Sequence, residues 1–517
     1  MSEPLTTIFG GQAYPVDFSL VEHIERIIEK QGAATAVFNA QQHLSYLDIR
    51  GELLKLHTCF LEVGLRPGDV IGVHLELQLR YPLIVLGVLL AGLVYLPIAT
   101  TLPVERKQQI CDIARPTLLV TDMPIPDVAA KCCTLAELFA CDVMPKTFGL
   151  FPEPSSDATA YIIFTSGTTG VPKGVSITRK GFLNRLQWAR DYYSLNDQDV
   201  TALKTPFSFD PSIQEAVLPF FSGGTVFVPD PGLVNFPNYL SECISRFAIT
   251  MLIMVPSQLK HLLSSSSIQT CHRLRHIVCC GEPWGVDLVS ALHERLPECR
   301  IYNGYGPTEA TIGTLVFNPP RGYEQAVIPI GKPIAGTHVA IVNDDIQSVA
   351  QGEAGELIIG GICVGNGYVN NESLTAQKFQ TLEVKEVGPV RFYLSGDQAR
   401  LLPSGEVLFL GRKDNQIKIN GVRIELEEIE LALRSCPGVR DAVVIKQAGK
   451  TGDQLHAFLI SDEQLDVGSI TDACANRINR ATIPSRFTRV DNFPVTHNGK
   501  VDRQELAMQA SFKGNLP

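Results

Sequence analysis

Fifteen residues, YIIFTSGTTGVPKGV from Tyr161 to Val175, hold the strongest chemical signal in the chain. An apolar strand runs into Thr165, Ser166, Gly167, Thr168 and Thr169, and Lys173 follows. Hydroxyls and glycine amides in a loop after a strand make a cradle for phosphate oxygens, and the lysine adds positive charge. The loop is not a Walker A motif, because no Gly-Lys-Ser/Thr falls at the required spacing. An ordinary polar turn uses the same residue types; the complete string is what argues for function. A second constellation is Tyr305-Gly306-Pro307-Thr308-Glu309. An aromatic ring can cover a base, a threonine hydroxyl can reach a phosphate, and a glutamate can hold Mg²⁺ beside phosphates. Thr-Glu is equally good first-turn helix chemistry, and the two readings are compatible. Asp397, in Ser395-Gly396-Asp397, can accept hydrogen bonds from two sugar hydroxyls or serve as a β-turn aspartate. Arg412 offers a planar donor near the same place. Lys500, in a glycine-containing loop, is by itself an ordinary solvated lysine.

These residues need elements to hold them. From about residue 20 to 150, helical stretches (Ser19–Lys30, Tyr46–Leu61) alternate with strand-like runs (Val70–Leu75, Pro116–Val120). The alternation resumes from Ala158 to about Asn318, with strands expected at Tyr161–Thr165, Thr225–Val228, Thr250–Val255 and His276–Cys279. Such alternation predicts an α/β fold with largely parallel sheets, whose ligand loops follow the strands. From Pro329 to Leu410 short strands with Gly and Asp turns predict a small β-barrel or distorted β lobe. After Gly411 a lysine- and glutamate-rich piece, with a helix at Glu425–Ser435 and a strand at Asp441–Lys446, predicts a compact α+β lobe. The expected architecture is therefore a large N-terminal lobe of two αβ subdomains plus a small β-barrel, followed by a small α+β C-terminal lobe. The divisions fall at residues 1–410, 411–414 and 415–517. No internal repeat is evident.

Composition narrows the function classes. The chain has 517 residues, too many for one ordinary domain. Lys+Arg number 44 against 54 Asp+Glu, a net charge of −10 that disfavours binding along nucleic acid backbones. Thirteen cysteines, an odd number with no C-x-x-C pair, read as reduced thiols in a cytoplasmic protein. The N-terminus lacks the basic-then-apolar run of a signal peptide. Tyr81–Ile98 carries no charge over 18 residues, but Pro82, Pro97, Gly87 and Gly92 mark it as a buried helix running into a buried strand, without membrane insertion.

The phosphate-loop string closely resembles the signature loop of the adenylate-forming (ANL) superfamily: acyl-CoA synthetases, luciferases and adenylation domains of nonribosomal peptide synthetases. Further family-like segments follow in order: LSYLDI (Leu44–Ile49), LLAGLVYLPI (Leu89–Ile98), FDPS (Phe209–Ser212), YNGYGPTEAT (Tyr302–Thr311), GELIIGG (Gly355–Gly361), YLSGDQAR (Tyr393–Arg400), GRKDNQIKINGVRIELEEIE (Gly411–Glu430) and NGKVDR (Asn498–Arg503). Departures are Ala99, where an acidic residue is usual, GNGYV (Gly365–Val369) in place of an Ala-Arg-Gly-Tyr, and a weak RATIPSRF (Arg480–Phe487). The resemblance implies ATP and Mg²⁺ as cofactors. It gives nucleotide contacts to Thr165, Ser166, Gly167, Thr168, Thr169, Lys173, Gly281, Glu282, Asn303, Tyr305, Asp397, Arg412 and Lys500. It assigns catalytic roles to Lys500, Thr308 and Glu309, with Glu309 on the metal, and makes Asp414 the hinge of a mobile C-terminal lobe. A lysine and Mg²⁺ aimed at the charge that builds when a carboxylate attacks an α-phosphate stabilise that transition state.

Phe209-Asp210 bears on the substrate. In amino-acid-activating members an aspartate here pairs with the substrate ammonium, and aryl-acid activators usually lack it. The resemblance places Asp210, Pro211, Gln214, Ile253, Val278, Cys280, Gly304, Ile312 and Gly313 around the pocket, with Lys500 closing it. None of the lining side chains beyond Asp210 and Lys500 is charged, so a charged substrate side chain would lack a partner. HIVCCGEP (His276–Pro283) resembles the equivalent stretch of D-alanine–carrier-protein ligases, which favours glycine or alanine; Gly304 and Gly313 leave room for something larger, and Gln214 also occurs in proline-type pockets. The expected reaction is amino acid adenylation followed by transfer to the phosphopantetheine arm of a separate carrier protein, with Gly421 in the thiol tunnel. The alternatives are an acyl-CoA or aryl-acid ligase of the same fold, or adenylation of a proline-like or β-amino acid. Oligomeric state is not legible.

Overall fold

The uncharged run at Tyr81–Ile98 must be hidden from water. Tyr81–Leu90 is a helix with Pro82 in its first turn, where a missing N–H is tolerated, and every residue of it is buried. The chain then enters the buried strand Val94–Pro97. Helix-then-strand was the sequence expectation, and no described helix is long and apolar enough to cross a membrane. The structure is a computed structural model that describes residues 4–140, 152–167, 170–325, 327–414, 416–419, 422–449, 452–461, 466–494, 501–503 and 505–508. Thr168, Thr169, Gly421 and Lys500 lie outside the described residues.

Two large sheets form the α/β body. One has seven strands in the order Gly367–Tyr368, Lys173–Thr178, Thr159–Thr165, Val94–Pro97, Val70–His74, Leu118–Thr121, Lys131–Cys133. The other has nine, running from Lys332–Pro333 through Leu315–Phe317, Arg300–Tyr305, His276–Cys280, Met251–Met254, Val200–Ala202 and Thr225–Phe227 to Thr35–Phe38 and His43–Ser45. The centre of each is parallel, as α/β alternation requires. The sequence places the two αβ units in consecutive stretches; instead they exchange strands. Thr35–Phe38 pairs with Thr225–Phe227, and Thr159–Thr165 pairs next to Val94–Pro97. One shared core therefore links the chain's first 40 residues to its middle.

LSYLDI turns out to be a helix start. Ser45 accepts from the Asp48 amide while the Asp48 carboxylate accepts from the Ser45 amide, a capping box opening the helix Tyr46–Val63. The β lobe is a six-stranded antiparallel sheet in which Thr337–Val342, Ala354–Gly361, Gly388–Leu401 and Phe379–Val384 pair in sequence, with Val407–Arg412 also on Gly388–Leu401. The C-terminal part is α+β: a hairpin (Gln416–Ile419, Val422–Glu425), the helix Leu426–Arg434, and a sheet of Val439–Gly449, Gly452–Ser461 and Arg486–Arg489 around its own apolar cluster. Every described cysteine is free.

His57 gives this fold a pH-sensitive point. It lies on Tyr46–Val63 and its Nε2–H donates to the Gly87 carbonyl at 3.1 Å, pinning one core helix to the next. Burial lowers its pKa from 6.5 to about 4. A depressed value favours the neutral ring in the folded state, so this contribution is intact above about pH 6.5 and is lost as pH falls toward 4. Its size is about 3 kcal/mol at most, from ~1.4 kcal/mol per pK unit. Thermal melts from pH 7 to pH 4 should show a steep acid limb that His57→Gln flattens; an unchanged limb would place the acid sensitivity elsewhere.

Candidate active site

The phosphate loop is the connection between antiparallel strands Thr159–Thr165 and Lys173–Thr178, registered with Thr165 opposite Lys173. Gly167 is required there: a Cβ on it would lie 2.1 Å from the Val171 carbonyl oxygen. Thr165, Ser166 and Lys173 are half-buried at the loop's two ends. A second cation, not singled out in the sequence, joins them. Arg106 Nη1 donates to the Gly170 carbonyl at 3.0 Å, and its Nη2 pairs with Glu428 at 2.9 Å. Lys173 Nζ stands 3.6 Å from Glu425, so both cations of the loop meet acids of the C-terminal part.

Three of the other predicted nucleotide residues, Tyr305, Asp397 and Arg412, meet where the end of the strand Arg300–Tyr305 faces the strand Gly388–Leu401. The buried Tyr305 hydroxyl donates a short hydrogen bond to Asp397, and Arg412 Nη1 donates to the other carboxylate oxygen at 2.5 Å. The same guanidinium makes a two-pronged bond to Asp414, at 2.6 and 2.7 Å. A continuous Tyr305–Asp397–Arg412–Asp414 chain thus runs from the predicted base site to the predicted hinge. Gly396 has φ +74°, and a Cβ on it would press to 2.9 Å from Arg412 Nη2, so the turn favours glycine. Burial and the Asp397 charge push the Tyr305 phenol well above its usual range, which keeps it a proton donor.

Thr308–Ala310 is a single 3-10 turn beside the strand Lys173–Thr178. Glu309 is 1% exposed, and one carboxylate oxygen accepts from Tyr368 at 2.8 Å. One buried carboxylate next to a phosphate loop suits Mg²⁺, which usually takes one or two carboxylates and completes its shell with phosphate and water. Among the described residues no group of three acidic, His or Cys ligands gathers anywhere. Two predicted contacts face other partners. Asn303 uses both ends of its amide in the core, accepting from Trp284 Nε1 at 2.9 Å and donating to the Pro329 carbonyl at 2.8 Å. Glu282 accepts from the Ser257 amide and hydroxyl, capping the helix Pro256–Leu263 beside half-buried Gly281.

Several of the expected pocket residues lie close together in the structure. Ile253 pairs with Val278 and Cys280 with Gly304 on three adjacent parallel strands, so period-two geometry puts all four on one sheet face. Asp210 and Pro211 begin the helix Pro211–Ser222, and Gln214 lies one turn in, fully buried. Aspartate is a preferred N-cap, yet this one makes no cap bond to its own helix. Its Oδ2 accepts instead from the Ile312 amide at 3.1 Å. Thr311 and Ile312 have φ of 60° and 68°, a left-handed pair of β-branched residues that is strained and is held in part by that bond. Gly313 follows directly. One pocket residue escaped the sequence reading: Arg185. It sits at the spacing of Phe182, Leu186 and Ala189 on the buried face of the helix Arg179–Tyr192, and a charge on an apolar face was the available signal.

The AMP-binding enzyme model matches residues 24–369, and the AMP-binding enzyme C-terminal domain matches 428–500. Tyrocidine synthase 3 of Brevibacillus parabrevis is 33% identical over 492 residues, covering 93% of this chain and 8% of its own. Zwittermicin A synthase ZmaJ of Bacillus cereus is 30% identical over 508 residues, 95% of each chain. Several of the curated relatives are far longer: the chain spans 8% to 45% of their length. Among solved structures, holo-PA1221, a nonribosomal peptide synthetase protein containing adenylation and PCP domains, superposes with a TM-score of 0.84 at 26% identity, over 95% of this chain and 84% of that one.

Proposed function

The chain belongs to the AMP-binding enzyme family, and from that premise we propose that it activates an amino acid with ATP and transfers it as a thioester to the phosphopantetheine arm of a carrier protein. The observation that carries the amino acid is Asp210, a buried carboxylate turned from its own helix toward the pocket wall. A buried carboxylate at the pocket wall offers an incoming ammonium a counter-charge in a site where water screens little. An acyl-CoA or aryl-acid ligase has no use for it.

In the first step a substrate carboxylate oxygen attacks the α-phosphorus of ATP, the bond to the β-phosphate oxygen breaks, and pyrophosphate leaves. Thr165, Ser166, Gly167 and Lys173 hold the phosphates, together with Thr168 and Thr169. Thr308 reaches the α-phosphate, Asp397 and Arg412 hold the ribose, and Tyr305 covers adenine. Glu309 would hold Mg²⁺, which supplies charge neutralisation on the phosphates. Lys500 adds positive charge to the transition state. In the second step the pantetheine sulfur attacks the acyl carbonyl, AMP leaves, and the thiol proton passes to solvent. Asp414 is the hinge about which the C-terminal lobe turns between steps.

For the amino acid itself, Cys280, Val278 and Ile253 support the small neutral class, glycine or alanine. Arg185 favours a second reading, a longer side chain that reaches it. ATP–pyrophosphate exchange across the twenty amino acids, several β-amino acids and several plain carboxylic acids tests the proposal. Exchange with amino acids, then thioester formation on an added phosphopantetheinylated carrier, is expected. Exchange only with acids lacking an amine would overturn it.

A further inference from the structure

Arg185 is 3% exposed, deep below the amino acid pocket. A buried guanidinium is normally matched by a carboxylate. Here Nε donates to the Gln214 side-chain oxygen at 2.9 Å, the Trp188 ring lies under the cation at 4.6 Å, and Nη1 has no hydrogen-bond partner. No carboxylate among the described residues pairs with it. Three further buried polar atoms nearby lack partners, Gln214 Nε2 and the hydroxyls of Tyr161 and Tyr193, and the Arg185 charge acts on the Tyr193 phenol as well. The pocket side is open: Gly313 has no side chain, and a Cβ placed there would meet Nη2 at 3.4 Å. Gln214 and Gly313 are both pocket positions, so the guanidinium stands behind a gap in the lining itself.

Tyr161 shows how the charges are arranged. Burial raises its phenol's pKa far above the ordinary range; the Asp210 charge raises it further and the Arg185 charge opposes. Both charges therefore act on one hydroxyl, an anion and a cation flanking the same pocket. Asp210 answers an α-ammonium. Nothing on glycine or alanine answers Arg185.

We propose that Arg185 recognises the substrate's side chain, and that the amino acid activated here ends in an acyl oxygen, a carboxylate or a carboxamide. This rests on the amino acid adenylation reading above and names its substrate class. The acceptor oxygen completes the guanidinium's hydrogen bonds through the space that Gly313 leaves, and Gln214 Nε2 donates to the same group. A carboxylate also neutralises the buried charge; a carboxamide satisfies the donors without doing so. An apolar side chain seals the cation in unpaired and is rejected, because a site built to hydrogen-bond discriminates strongly against an analogue lacking the partner.

ATP–pyrophosphate exchange with aspartate, asparagine, glutamate and glutamine, against alanine, leucine and glycine, tests this on the unmodified enzyme. At least one of the first four is expected to exceed every apolar or side-chain-free amino acid by about 100-fold in kcat/KM. The acid–amide comparison tells carboxylate from carboxamide. Gly313→Asp supplies an internal carboxylate to Arg185. It is expected to raise Tm and to cut the preference ratio over alanine at least tenfold; Arg185→Met is expected to cut the ratio without the gain in Tm. If Arg185→Met does not fold, the panel and Gly313→Asp still decide. Exchange confined to glycine, alanine or apolar amino acids overturns the inference and leaves amino acid adenylation standing. Exchange with no amino acid at all overturns both.

Discussion

Replacing Asp210 with asparagine is expected to lower kcat/KM for the amino acid about 1000-fold in ATP–pyrophosphate exchange, with the KM for ATP changed by less than about twofold. Asparagine keeps an oxygen where Asp210 accepts from Ile312 N, so the strained Thr311–Ile312 segment keeps its support. What is lost is the negative charge in a site 6% exposed. An ammonium buried there without its counter-charge costs several kcal/mol, and about 4 kcal/mol corresponds to the stated factor. The nucleotide residues lie along the Tyr305–Asp397–Arg412 chain and do not use Asp210. Tm measured alongside separates this from unfolding. An unchanged kcat/KM for the amino acid would remove Asp210 from the ammonium site.

Much of this site is legible in the sequence because its determinants are local. A loop between two strands, a turn that favours glycine and a capping box are each set by residues within a few positions of one another, as in Thr165–Lys173, Ser395-Gly396-Asp397 and Ser45–Asp48. Ile253, Val278, Cys280 and Gly304 come together by strand register, which the order of motifs carries. The sequence is silent where a residue's meaning depends on a distant partner. Arg185 interrupts the apolar face of its helix, but what it faces appears only when Gly313, 128 positions later, is found to leave it uncovered. Arg106 carries no local signal, because its partner Glu428 comes from the C-terminal part. Asn303 and Glu282 sit in the expected motifs, but Trp284, Pro329 and Ser257 already engage their polar atoms. The exchange of strands between the two αβ units is equally non-local, since pattern gives strands but not their partners.

The two ion pairs at the phosphate loop lead to the second large effect. Lys173 cannot serve Glu425 and a triphosphate at full strength together, so the arrangement with Lys173–Glu425 and Arg106–Glu428 suits the step after pyrophosphate has left. These pairs are substantial: Glu425 and Glu428 are 4% and 13% exposed at the side chain, where screening by water is weak. Burial is the larger influence on the Glu428 pKa and raises it, Arg106 opposes, and Glu425 adds to the rise, so removing Arg106 leaves an acid that is costly to keep charged. Two variants should then split the reaction. Lys500→Ala is expected to lower pyrophosphate exchange about 1000-fold and to leave thioester formation from a supplied aminoacyl-adenylate within about threefold. Glu428→Arg sets two cations face to face and is expected to do the reverse, slowing thioester formation at least tenfold while exchange persists. The double exchange Arg106→Glu with Glu428→Arg restores opposite charges and should recover most of the second step. Equal loss of both half-reactions in either single variant would mean that the two steps share one lobe arrangement, and failure of the double exchange to recover would show the pair to be bystanders at this contact.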